Sequence, residues 1–78
     1  MISLELAAKH HLPPIEEYPF PEIDWYTTFL KATDYIIAKL VEASYLGEKL
    51  EEDYTEIINA RRYARDMVNK LSKGDNND

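Results

Sequence analysis

Cysteine is missing from this chain, which excludes disulfide staples and thiolate metal sites and is compatible with a reducing compartment. Glycine occurs only at Gly47 and Gly74, too sparsely for a loop that cradles phosphate. Positive charge is also scarce. Nine basic residues stand against fifteen acidic ones, a net charge of −6, which disfavours phosphate backbones and anionic lipid unless the cations cluster. Only Arg61, Arg62 and Arg65 do so. No apolar run is long enough to cross a bilayer, and no basic-then-apolar leader opens the chain, so neither a membrane span nor a secretion signal is expected. The two histidines, His10 and His11, are adjacent. Neighbouring positions diverge on a helix, so they make no metal site together and read as solvent-facing.

What is present reads as an all-α chain organised around residues 30–69. Ser3 and the helix formers Leu4 to Lys9 predict a short N-terminal helix within residues 1–11. Four prolines between Leu12 and Glu22 remove donors and push their predecessors out of helical geometry, giving an extended strap over residues 12–22. Its Ile15, Tyr18 and Phe20 either lie back over the chain's own core or dock on a partner; self-packing is the preferred reading, because a hairpin alone leaves part of its apolar stripe uncovered.

An antiparallel helical hairpin is expected over residues 23–73. Pro21, Glu22 and Asp24 suit a helix start. Trp25, Phe29, Ala32, Ile36, Leu40 and Ala43 then recur at spacings of three and four, flanked by Tyr26, Leu30, Thr33 and Ile37. Thr33-Asp34 offers an internal cap that would split this helix; one continuous helix ending near Leu46, with Gly47 left-handed, is the preferred reading. Asp53-Tyr54-Thr55-Glu56 has the form of a capping box for a second helix. Its stripe is Tyr54, Ile57, Ile58, Arg61, Ala64, Val68 and Leu71. Residues 74–78 are polar and rich in breakers, and are expected to fray as a disordered tail.

Arg61 lies on that apolar stripe, where a charge requires a partner. Reflection about the bend places Asp34 opposite Arg65 and within a turn of Arg61. A structural ion pair among Asp34, Arg61 and Arg65 that fixes hairpin register is therefore expected, with an arginine surface for an acidic ligand as the alternative. Neither Glu16-Glu17 nor Glu51-Glu52-Asp53 has the apolar surroundings that raise a carboxyl pKa for acid–base work. No catalytic residue, metal site or cofactor is expected.

Trp25, Leu30, Thr33-Asp34-Tyr35, Lys39, Glu42, Gly47, Tyr54, Ile57-Ile58, Arg61, Arg65-Asp66 and Val68-Asn69 together resemble a segment that recurs in small tail-associated or uncharacterised proteins of tailed bacteriophages and prophages. The likeness spans roughly residues 25 to 69. It departs at Val68, where isoleucine is commoner, at Arg62-Tyr63, where glutamine and a bulky residue are usual, and in the strap. The resemblance implies a virion or virion-assembly role and no reaction. Expected partners are other phage structural proteins or further copies of this chain, with no nucleic acid and no membrane, and the expected place is the virion or the bacterial host cytoplasm. Tyr18, Phe20 and Trp25 are the expected partner surface, since 78 residues leave such area hard to bury internally. A small acidic regulator or inhibitor of a host protein is the alternative function.

Overall fold

The computed structural model describes residues 2–49 and 53–76. Helix α1 spans Leu4–Lys9, a single 3-10 turn spans Ile15–Glu17, and the long helices are α2, Glu22–Leu46, and α3, Thr55–Asn76. No strand occurs among the described residues. The two long helices pack side by side as a helical hairpin, and α1 with the strap lies across it.

Each helix end has an identifiable cause. The Ser3 hydroxyl accepts the Leu6 N–H at 3.1 Å and starts α1. At its other end the Leu12 N–H reaches Ala7 O and the His11 N–H reaches Ala8 O, with His11 at φ 65°. This is a Schellman stop built on a left-handed histidine. The same pattern closes α2: Glu48 N–H bonds Ala43 O, Gly47 N–H bonds Ser44 O, and Gly47 has φ 72°. Asp53 accepts the Thr55 N–H at 2.9 Å, two residues ahead rather than the three of a capping box. Glu56 does not close the box either; its carboxylate instead accepts from the Ser3 hydroxyl at 3.4 Å.

Helix α2 is unbroken at Thr33-Asp34 because the Thr33 hydroxyl donates to Phe29 O, one turn back, at 2.8 Å, leaving the backbone ladder intact. Helix α3 runs through Asn76, past Gly74 where a frayed tail is expected. Propagation adds one hydrogen bond per residue, and a glycine costs only about 1 kcal/mol against it. Asn77 and Asp78, also assigned to the tail, lie outside the described residues, as do Leu50, Glu51 and Glu52 of the acidic connection.

Phe29 and Ala64 are completely buried and mark the centre of the core. Trp25, Tyr26 and Ile36 of α2, Ile57 and Ala60 of α3, Ile2, Leu6 and Ala7 at the N-terminus, and Leu12 complete it. Ile15 and Tyr18 pack against it from outside, so the strap covers its own hairpin. On α3 the buried stripe takes Ala60 and leaves Ile58 exposed. Ala60, Ala64 and Ile57 recur at three and four along one line of the helix, and Ile58 lies beyond its edge.

Candidate functional site

Arg61 projects from α3 onto α2. One terminal nitrogen, Nη1, donates to Leu30 O at 2.8 Å and to the Thr33 hydroxyl, and Nη2 donates to Asp34 Oδ1 at 2.9 Å. The Thr33 oxygen can accept because its own proton is directed at Phe29 O. Arg61 is only 8% exposed, whereas the Asp34 side chain is 66% exposed. The cation is therefore buried and the anion faces water. Its Nε is buried with no hydrogen-bond partner among the described residues, so the guanidinium is incompletely satisfied. Arg65 is exposed, and among the described residues no carboxylate pairs with it.

Why Arg61 and not Arg65 meets Asp34 follows from the register. Tyr63 packs edge-on to Tyr26 with ring centroids 6.0 Å apart, and Tyr35 and Lys39 share a cleft with Asp53 and Ile57. Asp53 and Ile57 thus lie level with Tyr35 and Lys39 of α2. This slides α3 by more than a turn relative to a simple reflection, and the last turns of α2 extend beyond the start of α3. On that overhang Tyr45 is 89% exposed and Val41 63% exposed, with Leu46 also in solvent.

The three residues expected to face a partner separate. Trp25 is buried, 3% exposed, stacked parallel to Phe29 at 6.0 Å, and its indole N–H donates to Pro13 O at 2.8 Å. That corrects the expectation for Trp25: the strap supplies both the cover and the acceptor that a buried indole needs. Tyr18 is half-buried against the core, edge-on to Phe20 at 5.5 Å, and Phe20 remains exposed. The exposed apolar end of α2 was missed as a surface, because Val41 and Tyr45 lie off the stripe that runs through Phe29, Ile36 and Ala43. The sequence signal available was that second line of large side chains at a spacing of four.

His11 is exposed as expected, whereas His10 is partly buried. Its ring meets Phe29 edge-on at 6.1 Å and Tyr35 at 6.5 Å. Burial, then the positive charges of His11 and Lys9, push its pKa below the ordinary histidine value. It borders an open cleft of about 380 Å³ with Lys9, Lys39, Asp53, Glu56 and Tyr54. Tyr26 is pushed up to about 12 by burial and by the neighbouring Tyr63 hydroxyl, and so stays a neutral core group. Among the described residues no cluster of three metal-ligating side chains occurs, and no helix is long and apolar enough to cross a membrane. Comparison with protein-family models, with curated proteins and with solved structures gives no match.

Proposed function

We propose that this chain is a non-catalytic assembly protein that acts through protein–protein contacts, without a cofactor, nucleic acid or membrane. The observation that carries the reading is the overhanging end of α2, where Val41, Tyr45 and Leu46 stand in solvent although the same helix buries Phe29 and Ile36 completely or nearly so. Large side chains grouped on one rigid helix end are what protein interfaces use, and aromatic ones most of all. The resemblance over residues 25 to 69 supplies the setting, a tailed-phage particle or its assembly in the bacterial host cytoplasm.

Mass spectrometry of purified phage particles tests it. Tryptic peptides of this chain at a level comparable with known particle components are the expected result. Their absence, together with capture of one host protein by the tagged chain, would replace this reading with that of an acidic regulator of the host.

A further inference from the structure

The surface next to the Arg61–Asp34 bond brings acidic, apolar and basic side chains onto one face. On α2, Val41 and Tyr45 follow Asp34 at seven and eleven residues, and so lie on the same line of the helix. On α3, Ile58 and Arg65 stand three before and four after Arg61, on the side that reaches Asp34. One face of the hairpin therefore carries an acidic and apolar edge from α2 and a basic edge from α3, with Arg62 beside Arg65. Val41, Tyr45, Ile58, Arg62, Arg65 and Asp34 are all exposed.

We propose that this face joins two copies of the chain about a two-fold axis parallel to the helices; the proposal rests on the protein-contact reading and names the partner. Such an axis lays α2 of one copy over α3 of the other. Asp34 then faces Arg62 and Arg65 across the contact, and the two overhanging ends meet where each hairpin lacks α3, covering Val41 and Tyr45 of both.

Two whole-molecule quantities support an uncovered face. The chain exposes 6027 Å², whereas a compact monomer of its 9.1 kDa mass exposes about 4,900 Å². The excess exceeds the roughly 800 Å² per partner of a standard stable interface, although the free helix ends contribute to it. The radius of gyration, 14.3 Å, also exceeds the roughly 11.5 Å expected at this length. With principal extents of 47 × 27 × 16 Å, the molecule is a hairpin that α1 and the strap cover on one broad face, the other being uncovered.

Sedimentation of the full chain from micromolar to millimolar concentration tests the proposal. Reversible dimerisation is expected, weakened at least about tenfold in the double variant Val41→Lys, Tyr45→Lys, whose circular dichroism should match the parent because both side chains are exposed. Arg65→Glu should also weaken it, more strongly at low salt. The cysteine-free sequence permits a second readout. Tyr45→Cys should cross-link to its equivalent with a short thiol-reactive linker, and Thr28→Cys, exposed at the far end of α2, should not.

A chain that stays monomeric to millimolar concentration, or a dimer unchanged by the paired lysines, overturns the two-fold contact. Monomeric chain still found in purified particles would sink the dimer alone and leave the assembly reading standing. A dimer absent from particles would do the reverse.

Discussion

A buried arginine holding an exposed aspartate divides its stabilisation unevenly. Most of what Arg61 contributes comes from its two bonds into the α2 backbone and the Thr33 hydroxyl, since Asp34 keeps much of its hydration. Asp34→Ala is expected to cost about 1 kcal/mol, and Arg61→Ala about 3 kcal/mol through lost bonds, lost stem packing and a vacant site. In a double-mutant cycle read by urea denaturation, Asp34 should couple to Arg61 by roughly 0.5 to 1 kcal/mol and to Arg65 by less than about 0.3 kcal/mol. At concentrations low enough to keep the chain monomeric, coupling to Arg65 of equal size would contradict the observed pairing. The need for a counter-ion was legible at this scale, because a guanidinium on an apolar stripe cannot neutralise itself. Which arginine took it was not, for that depends on how far the two helices slide.

Between residue and domain, the helix ends decide the geometry. The two Schellman stops use the same left-handed conformation on unequal residues, glycine at 47 and histidine at 11. A Cβ added at Gly47 would touch nothing within 4 Å, so the penalty of Gly47→Ala is backbone strain alone, about 1 kcal/mol. The converse exchange, His11→Gly, should stabilise by roughly 0.5 kcal/mol, since relief of strain is partly offset by the greater freedom glycine adds to the unfolded chain. Thermal melts of the two variants should therefore shift in opposite directions. A shared direction would show that side-chain contacts, and not the backbone angle, set the effect. Gly47 could be foreseen as a stop because its residue type announces it. His11 could not, since histidine seldom takes that angle and does so here with Leu12 buried just beyond it.

For the molecule as a whole, the strap forms part of a second layer over one face of the hairpin. Leu12 is buried, Ile15 and Tyr18 lean on the hairpin, and Pro13 holds the Trp25 indole. Leu12→Ala is accordingly expected to lower stability by about 2 to 3 kcal/mol, with the Trp25 emission moving to longer wavelength as the strap loosens and water reaches the ring. An emission maximum unchanged in the folded variant would mean that the strap holds the tryptophan without Leu12. This one-sided cover leaves the opposite face of the hairpin for a partner, which is why Val41 and Tyr45, and not Trp25, carry the interaction proposed for it.

Local physics sufficed for what the sequence alone determined. Spacings of three and four set the two long helices, four prolines kept residues 12–22 from joining them, Gly47 ended α2, and the exclusion of lone charge from an apolar stripe demanded an ion pair. Tertiary structure decided the helix register, and with it the choice of Arg61 over Arg65, the burial of Trp25, the seating of His10 on Phe29 and the exposure of the α2 end. Those outcomes depend on how far α3 slides along α2 and on where the strap crosses the hairpin. Both are settled by the packing of side chains distant in sequence, a collective free energy that no local run of residues contains.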